Sequence, residues 1–550
     1  MKRYFREAAL VFAVLNIATF IAMRYIWNGF RQVFGPWQGI SVVIGLLLVA
    51  ALILLTVNCY VKKKTLLITG LVLTTPFALL FVVMLIVTVD YTIFFLRNFS
   101  SILLILLFLY ALFFFVYTTF KKIKLTKKVL YTHTALLIVT LLVGAVNVFD
   151  FSLMRFITKP VVYAVNDEYQ IVFETSQKSS GQVKIGPETY YNLDNGTLKT
   201  NSKVHKIIVP MVELDTHKSY EVTATAFLYR GPYNAVKGRT ISHINAFRPL
   251  DASDGITFHV ASDFHDKMSS TVKSVTYEKE KLDFVVLAGD ISSFLERRAN
   301  ISFINKVAYK ITNGEIAVIY NRGNHETKGE YLSELAGAVG TFNNNFYYPV
   351  KLGSVFLFVL DFAEDHNDDW WEFYGSAHFS SYRDAQLAWL NEVAADENNQ
   401  YNLNSYDYRF VISHHPLSAI NQYEETLFLE QEKEAFVSVL NSLNIDASFA
   451  GHLHELYYLA DLPNSPLTVL PDFKAKQLAK GTGALFPEFV TSKHALKQAD
   501  KNRVLFGPYT SLRVEITTHS KQAYFVNSKH EIVEIKNPFT GATENEIIQF

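Results

Sequence analysis

Ile-Thr-Phe-His-Val-Ala-Ser-Asp-Phe-His, residues 256–265, is an apolar, strand-like run that ends in an aspartate and a histidine one residue apart from each other. The arrangement recurs downstream. Phe-Val-Val-Leu-Ala leads into Gly289-Asp290, and Ile-Ala-Val-Ile-Tyr precedes Gly323-Asn324-His325-Glu326. Arg-Phe-Val-Ile-Ser precedes His414-His415-Pro416, and Ala-Ser-Phe-Ala precedes Gly451-His452-Leu453-His454. Apolar strands alternating with helical stretches argue for an α/β sandwich. In open α/β sheets ligands bind beyond the carboxyl ends of strands, so motifs spread from 263 to 454 are expected to converge.

Together the five stretches supply two carboxylates, one amide and several imidazoles, an inventory that holds a pair of divalent cations. Two cations about 3.5–4 Å apart can clamp the attacking and leaving oxygens of a phosphoryl displacement. The only cysteine is Cys59, inside an apolar run. That excludes a disulfide framework and a zinc–thiolate site within one chain. Metal binding must use His, Asp and Asn.

The motifs resemble the calcineurin-like metallophosphoesterase superfamily, whose pattern is D-x-H, G-D, G-N-H-[DE], H and G-H-x-H in that order. The resemblance covers about 256–460 and implies a four-layer α/β sandwich, two divalent metal ions (Mn, Fe or Zn) and a phosphoester substrate. It also implies roles. Asp263, His265 and His454 would hold one metal, Asn324, His414 and His452 the other, and Asp290 would bridge them. A metal-activated hydroxide would attack phosphorus, and His325 would protonate the departing alkoxide. His415 is expected to support a ligand rather than to be one. Arg322 resembles a phosphate-contacting arginine of the Ser/Thr protein phosphatase branch, with a surface role left open. Trp370 and Trp371, in the acidic, aromatic loop 365–375, are candidates for lining the substrate cleft.

Departures narrow the subfamily. Purple acid phosphatases carry a tyrosine three residues after the bridging aspartate, where this chain has Ser293, and lack a histidine at the position of His265. The Ser/Thr branch continues G-D with Asp-Arg-Gly, whereas Ile-Ser-Ser-Phe follows Asp290. The broad D-x-H group remains, and its N/O ligands do not select one metal.

Outside this core, apolar runs at 8–28, 39–60, 65–89, 99–119 and 129–149 each approach the ~20 residues that a membrane span requires, so residues 1–150 are expected to form a five-helix membrane region. Lys and Arg up to and including residue 150 number 14 against three acids, leaving 37 basic and 48 acidic residues and a net charge of −11 after it. An acidic remainder gives no support for nucleic-acid binding. Eleven of the 14 fall in alternate loops, at 2–6, 62–64 and 121–128. The positive-inside rule then puts the N-terminus in the cytoplasm and everything after Asp150 outside it. A multi-pass protein of the cell membrane is expected, bacterial given compact loops and no cysteine after Asp150, acting on a phosphoester that is lipid-linked or near the bilayer. The rival reading is a non-catalytic membrane sensor or adhesion protein that retains a structural metal site.

Residues 160–250 alternate as short β-strands, and Leu214 to Tyr220 has the spacing of a tyrosine corner. An all-β sandwich is expected there. It resembles a fibronectin type III module, in particular the one that precedes the catalytic domain of purple acid phosphatases. Residues 461–550 are expected as a C-terminal extension completing the second sheet of the catalytic domain, with strands near 509–519, 522–528 and 531–538.

Overall fold

The computed structural model describes 39–61, 63–87, scattered residues elsewhere before 154, and most of 154–550, outside 231–234, 397–399, 422–426, 455, 460–477, 481–482, 492, 495–508 and 534–546. The chain divides into two compact units, Met1–Leu153 and Met154–Phe550.

In the first unit, helices Gly39–Val61 and Lys64–Val87 are apolar, with side chains described over 43–58 and 64–75. Among the described residues no helix is long and apolar enough to cross a membrane. This overturns the five-helix membrane region expected above. Hydropathy measures how strongly a run avoids water, not what covers it, and here Leu55 is buried in a cluster with Ala9 and Ala13. The runs at 8–28, 99–119 and 129–149 lie largely or wholly outside the described residues.

The second unit is built on two sheets. The first places Tyr509–Ile516, Ile256–Ala261, Phe284–Ala288, Ala317–Asn321, Phe156–Val165, Glu168–Ile185, Ser219–Arg230 and Ala235–Ala246 side by side in that order. The second runs Tyr348–Leu352, Val355–Leu360, Tyr408–Ser413, Ala447–Ala450 and Glu488–Val490. Strands buried on both faces read as continuous apolar runs, and alternate residues serve different cores. Phe258, Val286 and Ile319 meet Leu357, Ile412 and Phe449 between the sheets. Leu287, Val318 and Tyr320 face helix Arg298–Thr312 through Ile304, Val307 and Ile311. Phe358 and Val411 face Leu390, Val393 and Phe436 of helices Phe379–Ala395 and Leu427–Leu440. The layers run helix, sheet, sheet, helix.

The expected β-sandwich at 160–250 is not a separate body. Phe156–Val165 pairs in parallel with Ala317–Asn321, with Val162 opposite Ala317 and Tyr163 opposite Val318. The front strands therefore continue the catalytic sheet. Val-Val-Tyr-Ala-Val at 161–165 is buried on both faces, as an interior strand must be. Tyr220 does not pin its own turn: its hydroxyl donates to the carbonyl of Gly314 at 2.8 Å, after helix Arg298–Thr312. Lys206 is similarly committed, donating to the carbonyls of Ala336 and Val339.

The tail also differs from expectation. Tyr509–Ile516 pairs antiparallel with Ile256–Ala261, in the first sheet rather than the second, and Lys521–Asn527 adds to its far side. The remainder of the expected strand at 531–538 lies outside the described residues beyond Ile532–Val533.

Candidate metal centre

Every predicted ligand stands just after a strand, at the carboxyl edge of one of the two sheets. The turns that place them are sharp. Asp263, His265, Asp290, His452 and His454 all have φ between 45° and 68°, in the left-handed region. Non-glycine residues there cost of order 1–3 kcal/mol each and persist only where surrounding structure holds them. That structure is a lattice of hydrogen bonds between the loops. The Asp263 amide donates to the Gly289 carbonyl, the His265 amide to Asp290, and the Gly451 amide to His414, each at 3.0 Å. The loops touch so closely that a Cβ on Gly323 would sit 2.1 Å from Asp290 Oδ1. Gly289 needs φ +89° as well, which explains the glycine before the aspartate.

Asp290 is the centre. Around its Oδ2 stand Nε2 of His414 at 3.3 Å, of His265 at 3.7 Å and of His325 at 3.8 Å. Asp263 Oδ1 lies 3.6 Å from His454 Nε2 and 3.9 Å from His265 Nε2. The Nε2 atoms of His265 and His454 face each other at 3.3 Å. Ligand atoms ~2.1 Å from one ion at ordinary coordination angles lie ~3.0–3.4 Å apart. The observed separations reach that range or slightly exceed it.

Two further observations fit divalent cations. His414 Nδ1 donates to the Ala288 carbonyl at 2.8 Å, so buried Nε2 is the ring nitrogen turned toward Asp290 Oδ2. Asn324 Nδ2 donates to Glu364 Oε1 at 3.2 Å, which turns its buried, unpartnered Oδ1 the other way. Such outer contacts fix which atom a metal ligand presents.

The electrostatics point the same way. Burial opposes charge on Asp290, yet the imidazoles of His414, His325 and His265 hold its carboxyl well below the usual range. Burial likewise opposes charge on His414, but Asp290 and Asp263 push it up to about 10. Burial raises Asp263 to about 6 and lowers His265 to about 3. Without metal the cluster holds a proton on His414 beside an ionised Asp290. It is built for positive charge.

His325 stands at the rim. Its amide donates to Asp290 Oδ1 at 3.0 Å and Nδ1 to the Ser293 carbonyl at 2.8 Å, which leaves Nε2 facing the cluster. His415 is buried, its ring 4.4 Å from that of His452, in a supporting position. Arg322 is paired on one side: its guanidinium meets Asp361 at 2.6 Å and packs 4.3 Å over Phe346. Trp370 stacks on His366 at 3.9 Å, whereas Trp371 is 66% exposed.

Sequence reasoning missed three groups. Glu326 collects the amides of Asp290, Ile291, Ser292 and Gly323 on one buried carboxyl, holding two metal loops together. Tyr509, from the tail, brackets Ser262 beneath Asp263. Glu364 and Asp365 touch Asn324 and His452. The last pair follows the apolar run Val355–Leu360, the same signal that marked the other five motifs.

Residues 256–456 match the calcineurin-like phosphoesterase family. The chain therefore carries a calcineurin-like metallophosphoesterase domain, and the protein is a metal-dependent phosphoesterase; the domain implies a dinuclear metal centre. Among solved structures, a purple acid phosphatase from yellow lupin seeds is 12% identical, with 68% of this chain and 72% of that one covered and a TM-score of 0.42. A structure of PhoD is 11% identical, with 72% and 91% covered and a TM-score of 0.40. A phosphopantetheinyl hydrolase from Mycobacterium tuberculosis is 16% identical, with 43% and 89% covered and a TM-score of 0.22. No curated protein matches the chain.

Proposed function

We propose that the protein hydrolyses phosphomonoesters or phosphodiesters at a two-metal centre. Asp263, His265 and His454 would hold one cation, Asn324, His414 and His452 the other, and Asp290 would be shared by both. The observation that carries this reading is the ring of three imidazole Nε2 atoms 3.3–3.8 Å from Asp290 Oδ2. A pair of divalent cations supplies Lewis acidity and a nucleophile at neutral pH.

The chain's own groups do the rest. Asp290, held ionised by the surrounding imidazoles, would supply the negative charge that limits repulsion between two bound cations. With Nδ1–H committed to the Ser293 carbonyl, His325 acts as an acid in its imidazolium form, which presents the second proton on Nε2 toward the cluster. When water oxygen bonds to phosphorus and the ester P–O bond breaks, that proton passes to the leaving alkoxide, and the proton given up by the water returns to His325 through solvent. Trp371, exposed at the mouth of the neighbouring loop, offers a surface for the leaving group.

The test is a panel of nitrophenyl phosphate monoesters and diesters after removal of bound metal, with Mn²⁺, Fe²⁺ and Zn²⁺ added back singly. Turnover should return with divalent cation. Two bound equivalents without turnover on any ester would favour a structural metal site instead.

Membrane anchoring, with the catalytic domain outside the cytoplasm, is part of the proposal. It is supported by the basic clusters at 2–6, 62–64 and 121–128, which suit the anionic face of a membrane. A reporter active only outside the cytoplasm, fused after Phe550, should work. Silence there, with activity from a cytoplasmic reporter, would reverse the location and open cytoplasmic phosphoesters as substrates.

A further inference from the structure

We propose that Glu364 and Asp365, two consecutive carboxylates, are positioning residues that orient Asn324 and His452 toward the second cation. The inference rests on the two-metal reading above and extends it to a loop that none of the five motifs contains. Asp365 Oδ2 lies 3.1 Å from His452 Nε2. Its carboxylate accepts that N–H and leaves Nδ1 as the lone-pair nitrogen. Glu364 Oε1 accepts from Asn324 Nδ2 at 3.2 Å, so the amide oxygen is the atom left to bind.

The loop is brought there by the sheet. Val355–Leu360 runs parallel to Tyr408–Ser413 with Leu360 opposite Ser413, so the residues that follow each strand emerge together. The turn between Leu360 and Asp365 is fastened rather than loose. Asp361 is held by Arg322 and by the Tyr382 hydroxyl at 2.9 Å, and Ala363 takes φ +62°. Glu364 is fully buried and paired with Lys328 at 2.8 Å. On the other side of His452, buried His415 has an Nε2 with no hydrogen-bond partner, and Asp365, His415 and His452 present ligand-type atoms within 4.8 Å of one another. A solvated surface acid would show none of this.

Outer carboxylates of this kind are worth ~10–100-fold in metal affinity. Metal content and the spin-coupled Mn²⁺ signal in electron paramagnetic resonance should be read against Mn²⁺ concentration for wild type, Asp365→Ala, Glu364→Ala and the conservative Asp365→Asn and Glu364→Gln. The alanine variants should keep the first cation and bind the second ~10–100-fold more weakly. Activity should recover at high Mn²⁺. The amide variants, which can still accept the hydrogen bond, should fall between, and they carry the test if an alanine variant fails to fold. Equal affinity for both cations in wild type and Asp365→Ala overturns the inference alone. So does loss of both cations together in a folded variant. Wild-type protein that binds fewer than two cations overturns the two-metal reading and this inference with it.

Discussion

The two halves of the metal centre are held by different means. Asp263, His265 and His454 all sit in left-handed backbone, and the His265 and His454 side chains remain 14% and 39% exposed. Asn324 and His414 are buried and have ordinary backbone. Their side chains, with that of His452, are fastened by Glu364, the Ala288 carbonyl and Asp365. One half is aimed mainly by turns and the other mainly by side-chain hydrogen bonds. A strained turn fixes where a residue starts, whereas a hydrogen bond fixes which atom it presents. The buried half should therefore set the geometry, and the exposed half should exchange its cation more readily.

The largest expected effect comes from the residue common to both halves. Asp290→Asn should abolish activity and lower the content of both metals. Two equivalents retained at wild-type activity, by metal analysis, would remove Asp290 from its central place. His325 belongs to neither half and serves as the control. His325→Ala should lower kcat by ~10²–10⁴-fold on esters with poor leaving groups and leave metal content unchanged. The loss should shrink on nitrophenyl esters, and an equal loss on both classes would assign His325 some other task.

The contrast itself is tested by paired variants. Breaking a buried ion pair costs ~3–5 kcal/mol, so His414→Ala should destabilise the metal-free protein markedly in denaturant titration. His454→Ala should cost one cation and little stability. Equal destabilisation would erase the distinction between the halves.

The halves should also respond oppositely to pH in the metal-free protein. Asp290 and Asp263 push His414 up to about 10, above the ordinary imidazole value of about 6.5. Its contribution is fully present below pH 6.5 and is lost as pH rises toward 10. His265 is lowered to about 3, so its contribution is present above pH 6.5 and is lost as pH falls toward 3. Each slope is at most ~1.4 kcal/mol per pH unit for one proton. Denaturant titrations across pH should show the alkaline slope disappear in His414→Ala and the acid slope in His265→Ala. Identical slopes in both variants would contradict the assignment. The smallest effect is expected at the rim. Trp371→Ala should raise KM for aryl esters by ~2–10-fold, the worth of one aromatic contact, with metal content unaltered. No change would remove Trp371 from the cleft.

Much of the candidate centre was legible because its ligands follow apolar strands, and strand ends of parallel sheets meet at one edge. His265, Asp290, Asn324 and His414 stood out because they follow such strands and also match the family's motifs in order, and that resemblance implied their roles. Glu364 and Asp365 carried the same strand-end signal after Val355–Leu360 but match no motif of the family, and an acid in an acidic loop looks like a solvated one. Arg322 shows the converse. Its place in the motif suggested a phosphate contact, but its pairing with Asp361 and packing on Phe346 depend on residues further along the chain that the motif does not contain.

The sequence by itself determined the ligand types, their spacing and the apolar character of the strands, because these are local properties of a few residues each. Only the tertiary structure decided that the strands at 156–246 continue the catalytic sheet and that the tail strand Tyr509–Ile516 joins the first sheet. Alternation fixes which face of a strand is apolar but not which neighbour it pairs with. Pairing follows from how all the cores close together. For the same reason, apolar runs before residue 150 could not say what covers them, and among the described residues no helix is long and apolar enough to cross a membrane.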